Sequence, residues 1–272
     1  MARPPIPAAA PSAEGSLQRR DWIAGLQTGL GILEAFGDTH ARMTAAQTGE
    51  CVGITRTAAR RHLLTLAHLG YVATDGKLFW LSPRVLRLGQ AYMESAPLPR
   101  IAQPFLQRIT AGTHEAAYLS VMDGDEVTYI ARSGTNWVKR TGYLLGSRVP
   151  AHVTAAGMLL LALRDVPSPA EWVQRATLRT FTSHTITDRG QLGTALAHIR
   201  MQDWALSEQQ LELNHRGIAV PVRDSKGQLA CALSVTMPMN REKTEDAVRR
   251  VLGVMQEVAQ AMRPLLQGGG GF

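Results

Sequence analysis

The stretch "GITRTAARRHLLTLAHLGY" (residues 53–71) decides how the first third of the chain is read. Thr55 is a helix N-cap, Gly70 a stop, and the residues between carry a helical period over 56–69. Wound at ~100° per residue, Ala58, Ala59, Leu63, Leu66 and Leu69 gather into an arc ~140° wide that can seat on a core. Thr57, Arg60, Arg61, Leu64 and His68 fall on the opposite arc, with Arg56 at its edge. Taken alone, Ala-Ala-Arg-Arg is as good a solvated helix face as a probe held out to something negative. The neighbouring segments separate the two readings.

Upstream, "RDWIAGLQTGLGILEAFG" sets Ile23, Leu26, Leu30, Leu33 and Phe36 at helical spacing, with Gly37 as a stop. "MTAAQTGECVGIT" predicts a short helix after Thr44 and a tight turn at Gly53. Downstream, "YVATDGKLFWL" reads as two short strands around Asp75-Gly76, the dipeptide of a type I′ hairpin. Helix, helix, turn, helix, hairpin is the order of a winged helix-turn-helix, and it favours the probe. A recognition helix enters the major groove by its N-terminal part. Arginine there reads guanine O6/N7 or clamps phosphate, and threonine hydroxyls reach either. The expected DNA-contacting set is Thr44, Thr55, Arg56, Thr57, Arg60, Arg61 and Thr65, with Lys77 at the tip of the wing. Arg19 and Arg20 are candidates for a basic arm ahead of the first helix. Arg60 and Arg61 point ~100° apart, so one is expected near base edges and the other near phosphate.

The bulk numbers agree with this reading. The 272 residues carry a net charge of +7, with a pI near 9.9. Residues 1–90 hold ten Lys/Arg against six Asp/Glu. A basic balance permits a nucleic-acid partner without requiring one. No run approaches the ~18 apolar residues of a membrane span, and no secretory signal opens the chain, so a cytoplasmic protein without membrane contact is expected. Cys51 and Cys231 lie far apart and read as reduced thiols. No Cys/His spacing suggests a metal, and no cofactor is expected. "MARPPIPAAAPSAEGS" at the start and "GGGG" near the end read as disordered tails.

After the wing, "SPRVLRLGQAYMESA" predicts a connecting helix begun at Ser82 and Pro83, carrying Val85, Leu88 and Tyr92. "PLPR" (97–100) then punctuates the chain. Beyond it a helix over 101–112 leads into a hairpin, "AAYLSVM" and "VTYIARS" around "DGDE". A third strand is expected at "RTGYLLG", a loop at "SRVPAH" and a helix at "TAAGMLLLAL". Two more helical stretches follow, then a hairpin around 224–227 and a last helix over 242–266. Without a βαβ rhythm this is an α+β domain on a mostly antiparallel sheet. There is no GxSxG, no Gly-rich phosphate loop and no carboxylate pair in a recognisable motif, so no enzyme is expected. Asp123, Asp125 and Glu126 are turn chemistry.

The segments "DWIAGLQTGLGILEAFG", "GITRTAARRHLLTL" with "LGYV", "TDGKLFWLSPRVLRLG", "LPRIAQPFL", "GSRVPAHVTAAG" and "GIAVPVRDSKG" with "ALSV" resemble the IclR family of bacterial transcription regulators. The resemblance is nearest to its PobR/PcaR-type branch, linked to aromatic-acid catabolism, and spans roughly residues 20–265. It implies a winged helix-turn-helix over 20–82, a linker helix used in dimerisation over 83–99, and a GAF-like effector-binding domain over 100–267, between tails at 1–19 and 268–272. It also implies a homodimer that often pairs into a homotetramer on double-stranded operator DNA and works with RNA polymerase, frequently as an activator. The effector expected is an aromatic carboxylate such as 4-hydroxybenzoate, protocatechuate or terephthalate. The alternative is a repressor responding to a small keto or hydroxy acid.

By family position the effector cavity falls near Val138, Thr141, Val149, Ala155, Ala156, Ser207, Gly217, Ser234 and Thr236. Ser207 stands where some members have an acidic residue and Gly217 where some have cysteine, which implies a smaller lining and a larger ring. The residues themselves support an anion there. A helix beginning near Thr154 directs the free N–H groups of Ala155 and Ala156 at the preceding loop, where Arg148 and His152 are at hand. "TAAGMLLLAL" is equally a tightly packed core helix, Arg148 equally a surface arginine, and Ser234 and Thr236 equally ordinary strand residues.

Overall fold

The structure is a computed structural model and describes residues 18–134 and 144–266. The chain forms two compact units, one ending at Glu94 and one starting at Ser95. The division falls inside the stretch expected to be the linker.

The first unit runs α1 (Ala24–Ala35), β1 (Met43–Thr44), α2 (Ala45–Val52), α3 (Arg56–His68), β2 (Val72–Thr74), β3 (Leu78–Leu81) and α4 (Leu86–Ser95). Local chemistry fixes each boundary of the central helix pair. Thr44 and Gln47 form a reciprocal capping box at the start of α2. Gly53 closes α2 in the left-handed region at φ 74°. The Thr55 hydroxyl accepts the Ala58 N–H at the start of α3, so each cap satisfies donors the helix leaves orphaned. A Cβ on Gly49 would sit 2.7 Å from the Ile54 carbonyl oxygen, so only glycine lets α2 approach the turn so closely. Ile32, Phe36, Met43, Leu63, Leu66, Val72 and Phe79 form the core of the unit.

Three expectations need correction in this unit. Ile23, Leu26 and Leu30 stay 69%, 60% and 47% exposed; of the expected stripe only Leu33 and Phe36 reach the core, where Ile32 joins them. The helix has two apolar stripes, and spacing alone does not say which faces inward. Leu69, past the last helical residue, is also exposed. The wing turn is centred on Gly76 and Lys77, one residue later than the Asp-Gly dipeptide implies. Asp75 N–H donates to the Leu78 carbonyl at 3.3 Å, and of the two central residues only Gly76 has a positive φ. A type I′ turn needs a positive φ at both central residues, so this turn is not one. The Asp75 carboxylate accepts the N–H groups of Lys77 and Leu78, and these bonds hold its pKa below the usual carboxylate range. Strand order is β1-β3-β2. α4 follows a 3-10 turn capped by Ser82 and has no buried residue.

The second unit contains α5 (Pro97–Thr113), β4 (Ala116–Asp123), β5 (Glu126–Ser133), β6 (Arg148–Pro150), α6 (Ala155–Leu163), α7 (Pro169–Arg175), α8 (Arg189–Gln202), β7 (Ala205–Glu208), β8 (His215–Arg223), β9 (Leu229–Pro238) and α9 (Thr244–Met262). "PLPR" is the first turn of α5, not a break before it; proline suits that turn because its missing N–H has no acceptor there. The six strands are antiparallel in the order β6-β5-β4-β9-β8-β7. Alternation sorts their side chains. Leu119, Ile218, Val220, Leu233 and Val235 pack against α5 and α9. Val127, Ala219 and Ala232 pack against α6, α7 and α8. The third strand lies in the stretch expected to be a loop: Val149 of β6 pairs with Val127 of β5. Of the segment expected to be that strand, residues 140–143 are outside the described residues and Leu145-Gly146 is a turn, with Gly146 at φ 78°.

Candidate functional site

On the first unit, Arg56, Thr57, Arg60 and Arg61 are all exposed on the first two turns of α3, and Lys77 is exposed on the wing. Among the described residues, none of these four cations has a carboxylate partner; the unit's one ion pair joins Arg20 to Asp21. The second unit contrasts with this, because Arg108, Arg148, Arg200, Arg216, Arg223 and Arg250 are all ion-paired. Charge held out without a counter-charge is what a phosphate backbone neutralises. The threonines divide by task. Thr44 and Thr55 spend their hydroxyls on the helix caps, and Thr65 donates to the Arg61 carbonyl at 2.9 Å. Thr57 keeps an outward hydroxyl. Sequence reasoning passed over Arg42, whose guanidinium lies 4.4 Å over the Trp80 ring of β3. Only the pairing of β1 with β3 brings those two together. The side chain of Arg19 is outside the described residues.

On the second unit, a cavity of 40 Å³ opens where the N-terminus of α6 meets the sheet. Thr154, Ala155 and Ala156 form one wall, and Ser207, Gly217, Ser234 and Thr236 the floor. Strand register assembles that floor: Ser207, Gly217 and Thr236 lie in one row across β7, β8 and β9. Ser234 is flanked by Ala219 and Tyr118 in the next row. Gln209, Gln210, Leu211 and Glu212 from the loop joining β7 to β8, with His215 at the start of β8, close the far side, and Tyr129 of β5 completes it. Tyr129 meets Tyr118 edge to face, ring centres 5.3 Å apart. Family position pointed to "DWALSEQQ" (203–210) and so to Gln209 and Gln210, but not to the rest of the loop or the tyrosine, which non-local pairing delivers.

Thr154 caps α6 through the Gly157 N–H, and its carbonyl takes the Met158 N–H. The amides of Ala155 and Ala156 are left without an acceptor among the described residues, facing a cavity whose one acidic lining residue, Glu212, stands on the far side and whose lining also includes Arg216. Helix polarity and two free donors favour an anion. Gly157 lets the 3-10 turn 151–153 close down on α6, since a Cβ there would fall 2.2 Å from the Ala151 carbonyl oxygen. A Cβ on Gly217 would lie 3.4 Å from the Ala155 Cβ, an ordinary van der Waals contact, so the glycine leaves that much space beside the α6 N-terminus. Ser207 donates its proton to the Val153 carbonyl at 3.2 Å, tying β7 to the start of α6.

Three of the expected residues stand back from the cavity. Arg148 is held by Asp123 at 3.3 Å and Glu126 at 3.0 Å, because pairing with Thr128 sets it beside the β4–β5 turn. His152 is buried and its Nε2 lies 3.0 Å from the Arg179 carbonyl; desolvation lowers its pKa and favours the neutral ring. Val149 packs with Tyr118, Tyr129 and Val153 behind the cavity wall. Val138 and Thr141 lie outside the described residues. Asp125, expected as turn chemistry, also accepts the Trp172 indole N–H. Cys51 and Cys231 are both free. Among the described residues there is no cluster of metal-ligating side chains, and no helix long and apolar enough to cross a membrane.

Comparison with known proteins places both units. The IclR helix-turn-helix domain matches residues 25–76, and the bacterial transcriptional regulator IclR C-terminal domain matches residues 90–263. The p-hydroxybenzoate hydroxylase transcriptional activator of Acinetobacter baylyi is 38% identical over 94% of this chain and 96% of its own length. The Pca operon regulatory protein of the same organism is 36% identical over 92% of this chain and 91% of its own. A crystal structure of a double mutant of the PobR inducer-binding domain from Acinetobacter, in complex with 3-hydroxybenzoic acid, superposes with a TM-score of 0.57 at 32% identity. It covers 62% of this chain and 98% of that one. The chain belongs to the IclR family of bacterial transcription regulators, within the branch of the Pca and PobR regulators.

Proposed function

We propose that the protein activates an aromatic-acid catabolic operon in response to an aromatic carboxylate bound at the N-terminus of α6. The observation that carries this is the pair of free amides at Ala155 and Ala156 above a floor of serine, threonine and glycine, flanked by an aromatic ring at Tyr129. Amides and hydroxyls suit a carboxylate, and the tyrosine suits the flat ring behind it. The relative named for p-hydroxybenzoate hydroxylase and the PobR domain holding 3-hydroxybenzoic acid support the same class of ligand. At 40 Å³ the cavity holds about one water, whereas a benzene-sized ring occupies a cavity of about 150 Å³. Effector binding therefore separates the walls, and that movement is the event transmitted to the DNA-binding unit.

The DNA-contacting set is Arg56, Thr57, Arg60 and Arg61 of α3 and Lys77 of the wing, with Thr44, Thr55 and Thr65 holding the helix ends and surface in place. The protein acts in the cytoplasm as a homodimer, pairing into a tetramer on the operator, and works with RNA polymerase. The exposed Ile23 just ahead of α1, Leu26 and Leu30 within it, and Leu86, Leu88 and Tyr92 of α4 supply apolar surface for self-association. A thermal-shift panel of 4-hydroxybenzoate, protocatechuate, terephthalate and a small keto acid tests the ligand class. Stabilisation by an aromatic acid supports the reading; stabilisation by the keto acid alone refutes it.

A further inference from the structure

The segment after α7 makes two sets of contacts, one with the turn that leads into α6 and one with the β7–β8 loop. On one side the His152 ring donates to the Arg179 carbonyl at 3.0 Å and stacks obliquely near Phe181, ring centres 6.4 Å apart. His152 belongs to the turn that leads into α6. On the other side Thr182 donates its hydroxyl to the Gln209 carbonyl at 2.5 Å. Thr185 donates to the Gln210 carbonyl at 2.6 Å, and the Ile186 N–H donates to the Gln210 side chain at 2.7 Å. Both threonines are themselves fixed: Thr185 accepts the N–H groups of Phe181 and Thr182, and Thr182 accepts that of His184. Each hydroxyl therefore has its donor and acceptor roles filled and a set direction.

At its far end the loop is held by the Met239 N–H on the Asn214 carbonyl and by the His215 ring on the Leu213 carbonyl, and Leu211 packs against the Tyr118–Tyr129 cluster; the two threonines hold its start. Gln209 and Asn214 adopt positive φ values of 56° and 61°; asparagine takes this region readily, whereas glutamine keeps it when its surroundings impose it. Within the loop, the Gln209 N–H reaches the His215 carbonyl and its side chain accepts the Asn214 N–H.

We propose that Thr182 and Thr185 are positioning residues for the effector cavity. They clasp consecutive carbonyls of the β7–β8 loop and fix its distance from the α6 N-terminus, and so set the size of ring the cavity admits. As a statement about effector choice this rests on the cavity being the aromatic-acid site; as a statement about the loop it does not.

The test uses the full chain with Thr182→Val/Thr185→Val, which keeps shape and removes both hydroxyls, and with Thr182→Ser/Thr185→Ser, which restores them. Amide hydrogen exchange without ligand is read at residues 209–215 and, as a control, in α5 and α9. The brace predicts exchange about tenfold faster in the loop for the valine variant, no change in α5 and α9, and wild-type rates in the serine variant. Unchanged loop exchange, or faster exchange throughout the domain, overturns it. Calorimetric titration then compares 4-hydroxybenzoate with the bulkier 3,4-dimethoxybenzoate. A shift of about fivefold in the affinity ratio toward the bulkier acid is expected; equal losses for both overturn the size-setting role. If the wild type binds neither acid, the aromatic-acid reading and the size-setting role fall together, and the exchange result alone decides the brace.

Discussion

Replacing Gly157 by alanine sets local helix preference against a tertiary contact, with opposite signs. Within a helix alanine is better than glycine by about 1 kcal/mol, so propensity alone predicts a more stable protein. The new methyl, however, would lie 2.2 Å from the Ala151 carbonyl oxygen and 2.5 Å from the Ala151 Cα. Both atoms are backbone, and Ala151 is itself fully buried, so no side-chain rotation relieves the overlap. Overpacking a tight core costs about 1–3 kcal/mol, and a backbone clash belongs at the upper end. The balance is a loss of ~2 kcal/mol, or a fall of about 4–8 °C in the Tm of a unit this size. Differential scanning calorimetry of the full chain reads it, and titration with 4-hydroxybenzoate reads the accompanying damage to the α6 wall. A Tm that stays level or rises would refute the argument that glycine is required there for close approach.

Three other outcomes follow from the same geometry. Arg60→Ala and Arg61→Ala should each weaken binding to DNA from upstream of the regulated genes by about 1–3 kcal/mol; the phosphate-contacting one also lowers the salt slope by about one. Normal binding by both in a fluorescence anisotropy titration would remove them from the interface. His152 is held neutral by burial, so its folded pKa lies below the unfolded value of about 6.5. As pH falls below that value the unfolded chain takes up the proton first. Thermal stability should therefore drop from pH 7 toward about pH 5, and drop less in His152→Gln; parallel pH profiles would contradict this. Leu26→Glu with Leu30→Glu should shift the protein toward monomer in sedimentation velocity, and an unchanged oligomer would show that this face of α1 is not the contact.

The helix-turn-helix was legible in the sequence because its signals are local. Thr44, Gly53, Thr55 and Gly70 each act on groups within a turn of themselves, and the structure keeps each near its predicted place. The inward face of α1 was not legible, since Ile23, Leu26 and Leu30 form as good a stripe as the residues that pack inward. The wing turn slipped by one because the Asp75 side chain takes the Lys77 N–H, which a turn centred on Asp75-Gly76 would give to the Thr74 carbonyl. In the second unit, the α6 N-terminus and the Ser234–Thr236 alternation could be read from short stretches. Arg148 could not be placed, because its partners Asp123 and Glu126 come from a hairpin more than twenty residues earlier. Tyr129 and the loop from Gln209 reach the cavity only through the pairing of six strands, which no short stretch encodes.

Calorimetric titration of the full-length protein with 4-hydroxybenzoate and with 4-hydroxybenzamide, its neutral isostere, tests the central claim most directly. Charge-assisted hydrogen bonds to the Ala155 and Ala156 amides predict that the acid binds and that the amide is weaker by about tenfold or more. Equal affinity for the two, or no binding of the acid, would contradict a carboxylate site at the start of α6.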